Sequence, residues 1–323
     1  MPLPRPNHRA SLHFKYPAVI FGNALGDHLL ALPALRALAS LFPARLSLVC
    51  MPGFRRAFFS GIRFRSITEI NMNPRAGKRR FNSSAVAKSI GRCDLLLSLN
   101  PWSSESLDRL VTLLSPGLSV GITPGFQVVL PRSLRQHAMD EAFSVPAHLH
   151  PGLDIADFAT PPQLPARVGP RIREFLKTAA PRKRVLVIHN ESKPEKNWPL
   201  DRLSKFATAF LERHRDFVIF ILDLHKPKLK LGKFEDRVIH SRGLPLPYAF
   251  ALLRESDLFL GVDSCMLHAA DLFGIPGIGL FGPTHPRRWG FRFAPHRHLL
   301  NRRGVEHISE SAALKALESL LAR

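Results

Sequence analysis

Three short stretches carry residues whose types and spacing could do chemistry. The first is Gly22-Asn23-Ala24-Leu25-Gly26-Asp27, a glycine turn that ends in a carboxylate. The second is His189-Asn190-Glu191-Ser192-Lys193-Pro194-Glu195-Lys196-Asn197-Trp198-Pro199, a polar loop with a lysine just ahead of Trp-Pro. The third is Gly261-Val262-Asp263-Ser264-Cys265-Met266-Leu267-His268, which reads as a strand end running into a helix. A carboxylate that points outward from a strand end can serve as a general base. A lysine can offset the charge of a bound phosphate. The backbone amides of Ser264, Cys265 and Met266, opening a helix, suit a diphosphate, because the free N–H groups and the helix dipole both present positive charge.

Each residue also has a plainer reading. Asp27 at the mouth of a helix can cap it by accepting first-turn amides. Lys196 can be an ordinary exposed lysine. A cation just ahead of a helix start is electrostatically poor for that helix, which favours a phosphate-facing role. His268 can orient a carboxylate or satisfy itself within the helix. Gly282-Pro283-Thr284-His285-Pro286 is by itself a turn signal. No Gly-x-x-x-x-Gly-Lys-Ser loop occurs, which argues against a P-loop nucleotide hydrolase. Acidic pairs that could hold a metal are absent near these loops, so no metal is expected.

The elements that must position these residues follow from hydrophobic patterning. Pro17–Phe21 predicts a strand before the first glycine turn, and the following leucines predict a helix that Pro33 should kink or tighten. Arg45–Cys50, Ser66–Ile70 and Asp94–Leu99 are further runs of strand length. A second alternating set begins at Arg184–His189. Helix is expected over Pro199–His214, strand over Asp216–Leu222, helix over Pro247–Arg254 and strand over Asp257–Val262. Helix over Ser264–Phe273 and strand over Pro276–Phe281 follow, and Ser309 should cap a last helix to Ala322. Strands separated by helices imply parallel βαβ units. The reading is therefore an α/β chain: a flexible basic arm at 1–16, a first Rossmann-like domain at 17–150, a Pro-rich linker at 151–180, and a second Rossmann-like domain at 181–323.

Composition bounds the partners. The 323 residues exceed what one core usually takes. Hydrophobic residues make up 45% and charged residues 22%, enough to fill two cores. The formal charge of +21 favours polyanionic partners or reflects an Arg-rich composition. The stretch from Phe54 to Phe81 interleaves Arg55, Arg56, Arg63, Arg65, Arg75, Lys78, Arg79 and Arg80 with phenylalanines. It reads as a solvated loop packed by its aromatics, or as a face for an acidic acceptor or anionic membrane surface. Nucleic acid is not expected, since charge alone supports it and no nucleic-acid-binding signature occurs. Cys50, Cys93 and Cys265 are odd in number and far apart, which suits a reducing compartment. No apolar run is long enough to span a bilayer, and the first residues lack the apolar stretch of a secretory signal. A cytoplasmic location, with peripheral association at the inner membrane face, is the expectation.

Taken together, the three stretches resemble glycosyltransferase family nine, the ADP-heptose:lipopolysaccharide heptosyltransferases. Ala24-Leu25-Gly26-Asp27 followed by Leu29-Leu30-Ala31-Leu32-Pro33-Ala34-Leu35-Arg36 is similar to the family's Leu-Gly-Asp…Leu-Pro-Ala-Leu signature. His189 through Lys196-Asn197-Trp198-Pro199 resembles its His…Lys-x-Trp-Pro segment. Gly261-Val262-Asp263-Ser264 through His268, then Phe281-Gly282-Pro283-Thr284, resembles its Val-Asp-Thr-Gly…His…Gly-Pro-Thr region.

The resemblance implies a GT-B architecture, two Rossmann-like domains with parallel sheets facing across a cleft. It implies an inverting, metal-independent transfer of heptose from ADP-heptose to an anionic glycolipid acceptor of lipopolysaccharide-core type, with no cofactor beyond the nucleotide sugar. Asp27 matches the catalytic base. Lys196 and Ser192 fall on the donor-binding segment, and the amides of Ser264, Cys265 and Met266 match the diphosphate turn. Asp263 would fix that turn or contact the sugar, and His268 lies beside it. Leu244 falls where the family places an apolar contact to the nucleotide base. Two positions depart from the pattern: Cys265 replaces a glycine beside the diphosphate, and Glu191 stands where small hydroxyl residues are common. Both bear on the donor. The alternatives are a GT-B transferase or epimerase that uses another nucleotide sugar, and a non-catalytic member that binds glycolipid or nucleotide.

Overall fold

Pro-Ala-Val-Ile-Phe has every side chain buried, as a strand covered on both faces requires, and it forms β1 (Pro17–Phe21). The computed structural model describes residues 13–53, 59–72, 79–181, 183–224, 229 and 231–322. The chain divides into two compact units, Met1–Thr160 and Pro161–Arg323.

In the first unit β1 is followed by α1 (Leu25–Leu41), β2 (Ser47–Cys50), β3 (Ser66–Glu69), α2 (Ser83–Ile90) and β4 (Leu95–Ser98). Then come α3 (Glu105–Leu114), β5 (Leu118–Gly121), β6 (Val128–Val129) and α4 (Ala138–Leu149). The sheet is parallel throughout, in the order β3-β2-β1-β4-β5-β6. Helix α1 is buried without interruption from His28 to Ala39, so it lies in the core rather than on it. Pro33 sits inside α1, which continues past it to Leu41. Arg36 is also buried in α1, where it donates to the carbonyls of Phe158 and Thr160 and so ties the end of the unit to the helix. Burial lowers its pKa to about 10, so it stays charged at neutral pH.

The second unit contains α5 (Val168–Ala179), β7 (Arg184–His189), α6 (Leu200–Arg213), β8 (Phe217–Ile221), β9 (Val238–His240) and α7 (Leu246–Arg254). It continues with β10 (Leu258–Val262), α8 (Cys265–Phe273), β11 (Gly277–Phe281), α9 (Pro286–Trp289), β12 (His296–Leu300) and α10 (Glu310–Leu321). Its sheet is parallel in the order β12-β11-β10-β7-β8-β9. Ser309 caps α10 by accepting the Ala312 amide, as expected. The segment 151–180, expected as a linker, contains the boundary after Thr160 and also α5. Pro170 falls in the first turn of α5, where its missing N–H costs nothing.

Each unit has the strand order of a Rossmann fold counted from its own first strand. The order reverses between β1 and β4 in one sheet, and between β7 and β10 in the other. Loops leaving the carboxyl ends of strands at such a reversal are where open α/β sheets bind ligands. The three stretches singled out above are those loops: Asp27 follows β1, Lys196 follows β7, and Asp263 and Ser264 follow β10.

Candidate functional site

In the second unit the site is built around Asp263. The residue is 5% exposed, a position a carboxylate occupies only with partners. Lys196 Nζ donates to its Oδ2 at 2.6 Å, and His268 Nε2 lies 3.8 Å from its Oδ1. Ser192 Oγ donates to the Asp263 carbonyl at 2.9 Å, and the Ser192 amide donates to Asn197 Oδ1. The structure thus brings together Ser192, Lys196, Asp263 and His268. The Asp263 carboxylate here anchors Lys196.

Lys196 ends a short 3-10 turn, Pro194–Lys196, and Asn190 and Trp198 hold the loop in place. The Asn190 side chain donates to the Trp198 carbonyl and accepts from its amide, both at 2.8 Å. Trp198 is 1% exposed in the core, with its indole N–H donated to the Ile308 carbonyl. The Asn190 amide in turn donates to Asp223 Oδ1 at 3.1 Å. Sequence reading did not single out Asn190 or Asp223. The available signal was an asparagine at a strand end with Trp-Pro eight residues on.

Ser264 is the N-cap of α8 in extended backbone, yet its hydroxyl makes no capping bond. The Ser264 Oγ is buried and has no hydrogen-bond partner among the described residues. Such an atom costs about 1–3 kcal/mol until something satisfies it. The opening amides of α8 lie beside it, and helix geometry gives them no partner within the helix. Thr284 Oγ1, in the loop after the neighbouring β11, is a second buried hydroxyl of this kind. The Gly-Pro-Thr motif, which alone signals only a turn, places it there. Met266 is 3% exposed, so its side chain is part of the core.

Cys265 opens α8 without strain. Among the described non-glycine residues only Ala44 and Ser115 have positive φ, so this turn does not demand a glycine. Desolvation pushes the Cys265 thiol up to about 12, so it carries no charge at neutral pH. Glu191 accepts a hydrogen bond from the Leu224 amide, which engages its carboxylate with the loop after β8. Leu244 lies half-buried in the loop after β9, on the same sheet edge but away from the Asp263 cluster.

In the first unit Asp27 is the third residue of α1, and its Oδ2 accepts from the Ala24 amide at 3.3 Å. Capping is therefore part of its role, and its half-buried position leaves it reachable by solvent. Around the turn, Gly22 N donates to Asn100 Oδ1 at 2.8 Å, and Asn23 Oδ1 accepts from Trp102 Nε1 at 2.6 Å and from Arg79 Nη1 at 3.1 Å. Trp102 follows β4, across the reversal from β1, and sequence reading did not single it out.

His28 follows Asp27 and is fully buried, with its Nδ1–H donated to the Ala24 carbonyl at 3.0 Å. Its ring packs edge-on to Phe21 at 4.9 Å. Burial lowers its pKa to about 4, against the Ala24 hydrogen bond, which raises it. An unfolded histidine titrates near 6.5, so between those values the unfolded state binds more protons. The stabilisation is complete above pH about 6.5 and falls by up to about 3 kcal/mol as pH drops to about 4. Urea unfolding across that range should show this slope, and His28→Leu should flatten it. An unchanged slope in the variant would remove His28 as its source.

Among the described residues no group of three or more His, Cys, Asp or Glu side chains is placed to hold a metal ion. No described helix is long and apolar enough to cross a membrane.

The family model for glycosyltransferase family 9 (heptosyltransferase) matches residues 126–321. The match includes Lys196 and the Asp263 turn, and it does not reach Asp27. No curated protein sequence matches the chain at a significant level. Among solved structures, the chain is similar to a glycosyl transferase family 9 protein from Veillonella parvula DSM 2008. That pair is 20% identical over 95% of this chain and 98% of the other, with a TM-score of 0.77. It is also similar to ADP-heptose lps heptosyltransferase II of E. coli, at 14% identity over 95% and 98% of the two chains, TM-score 0.70. E. coli heptosyltransferase WaaC, solved with ADP, is 15% identical over 94% and 98%, TM-score 0.68. At these identities the likeness establishes the fold, the GT-B arrangement of two parallel Rossmann-like sheets.

Proposed function

The chain belongs to glycosyltransferase family 9 (heptosyltransferase), and on that premise we propose that it transfers heptose from ADP-heptose to an anionic glycolipid of lipopolysaccharide-core type. The observation that carries the donor half is the Lys196–Asp263 pair beside the unsatisfied Ser264 hydroxyl at the start of α8. Lys196 is the cation for the donor diphosphate, and Asp263 holds it in place until the anion arrives. Lysine has three donors, so it can serve a phosphate oxygen without leaving Asp263. The amides of Ser264, Cys265 and Met266 and the Ser264 hydroxyl take further phosphate oxygens. Ser192 and His268 brace Asp263, and Leu244 offers the base an apolar contact.

The transfer is an inverting, metal-independent displacement. Asp27 takes the proton of the acceptor hydroxyl as its oxygen bonds to the anomeric carbon. The bond from that carbon to the phosphate oxygen breaks, and ADP leaves with the electron pair. Lys196 and the α8 terminus stabilise the charge that develops on the leaving diphosphate. The excess of basic residues suits an anionic acceptor and a cytoplasmic site of action at the inner membrane face, where each nearby Lys or Arg contributes about 1 kcal/mol.

Calorimetry with a panel of nucleotides and nucleotide sugars tests the donor. ADP and ADP-heptose should bind, and Lys196→Ala should weaken both about 10-fold or more, as loss of a charge-assisted hydrogen bond predicts. A clear preference for uridine nucleotides would remove ADP-heptose as the donor. An unchanged affinity in Lys196→Ala would remove the lysine from the diphosphate site.

A further inference from the structure

The loop that carries Lys196 runs from the end of β7 to the start of α6, and one side chain closes it at its base. Asn190, 1% exposed, gives its Nδ2–H to the Trp198 carbonyl and takes the Trp198 N–H on its Oδ1, both at 2.8 Å. A carboxamide presents a donor and an acceptor side by side, as a peptide group does, so it pairs with both polar groups of one residue. A leucine of similar size would leave both Trp198 groups buried and unpaired. Each end of this clamp is fixed outside the loop. The Asn190 amide donates to Asp223 Oδ1 at 3.1 Å. The Trp198 ring packs edge-on to Phe206 of α6, centroids 6.0 Å apart, and its indole N–H is held by the Ile308 carbonyl at 3.0 Å.

Between those ends the loop folds on itself. Asn197 Oδ1 accepts the Ser192 amide at 2.8 Å, the Lys193 carbonyl accepts the Lys196 amide at 2.9 Å, and the Pro194 carbonyl accepts the Asn197 amide at 3.1 Å. Its far side rests on the turn after β10, through Ser192 Oγ on the Asp263 carbonyl and Lys196 Nζ on the Asp263 carboxylate. Asp263 therefore holds the ammonium end of Lys196, while the clamp sets the path of the backbone that carries it. A bond at the tip of a flexible four-carbon stem constrains that backbone little.

We infer that Asn190 is a positioning residue for the nucleotide sugar: its two bonds to Trp198 fix the 190–198 loop so that the Lys196 ammonium lies beside the turn that opens α8. This rests on the reading of Lys196 as the cation for the diphosphate. With the clamp removed, residues 191–197 must be ordered when the ligand binds, and affinity falls by the fraction of time the lysine is in place.

A double-mutant cycle read by calorimetry with ADP tests this, with thermal unfolding of each variant beside it. Asn190→Ala should weaken ADP about 10-fold, the result of a loop that is competent about a tenth of the time. In a Lys196→Ala background the same substitution should change ADP affinity by less than about 2-fold, because the group it positions is gone. A merely structural role would weaken ADP equally in both backgrounds. In transfer assays with ADP-heptose, Asn190→Ala should raise the KM for the nucleotide sugar and leave the acceptor KM near its wild-type value. Loss of folded protein alone would lower kcat with both KM values unchanged. Should Asn190→Ala not fold, Asn190→Ser, whose hydroxyl can still serve one of the two Trp198 groups, is read in the same cycle. Unchanged ADP affinity in Lys196→Ala overturns the diphosphate reading and this inference together. A weakened Lys196→Ala with an Asn190 effect that is absent, or equal in both backgrounds, overturns this inference alone.

Discussion

Asp27→Ala is expected to lower sugar transfer by about two to four orders of magnitude, the usual contribution of a positioned general base. The same substitution removes the hydrogen bond from the Ala24 amide, and loss of a helix-terminal bond of this kind costs about 0.5–2 kcal/mol. Two effects are therefore superposed in the alanine variant, and Asp27→Asn separates them. An asparagine keeps an oxygen that can accept from Ala24, so the start of α1 should hold and the melting temperature should stay near the wild-type value. It has no basicity, so transfer should fall as far as in Asp27→Ala. Turnover from ADP-heptose, measured beside thermal unfolding of both variants, decides the matter. If Asp27→Asn turns over near the normal rate, Asp27 is a helix cap and no more. If only Asp27→Ala is impaired, and in proportion to its loss of fold, the same conclusion follows.

Asp27, a helix cap that is proposed also as the base, marks what a sequence can and cannot disclose. Its place after a strand and a glycine turn was legible, because β1 is an unbroken apolar run and the turn residues have few other uses. So were β7, β10, α8 and α10, whose periodicity or cap residues are plain. The partners were not legible. Lys196 and Asp263 lie 67 positions apart, Asn23 and Arg79 56 apart, and Asn23 and Trp102 79 apart. Only the order of strands in the sheets brings their loops together. Helix α5 was hidden by a different cause: prolines near its start read as linker, though a proline in a first turn is no obstacle. Strand β9, at three residues, is too short for periodicity to register. Cys265 stands where the resemblance expects a glycine, and its backbone does not take the positive φ that would require one.

The support behind the donor turn leads to the second large expected effect. Asp271 lies on α8, seven residues after the cap Ser264, and is 2% exposed. Its Oδ1 accepts from the amides of Phe293 at 2.8 Å and Ala294 at 2.9 Å, and its Oδ2 from that of Arg292 at 3.0 Å. One carboxylate thus satisfies three consecutive amides of the segment between α9 and β12. Charge-assisted bonds of this kind are roughly twice as strong as neutral ones, and each buried N–H left without a partner costs about 1–3 kcal/mol. Asp271→Ala should therefore destabilise the second unit by about 2–4 kcal/mol, less than a full sum because Arg292 is exposed and water can reach its amide. Asp271→Asn keeps one acceptor oxygen and should lose about half as much. Hydrogen exchange gives the local readout: the amides of Arg292, Phe293 and Ala294 should lose protection before those of β7 or β10. The effect should reach function as well, because the helix freed of its anchor is the one whose first amides are assigned to the diphosphate. ADP affinity should fall in Asp271→Ala even where the protein remains folded. Unchanged protection at those three amides would show that the segment is held by its packing against β12 and not by this carboxylate.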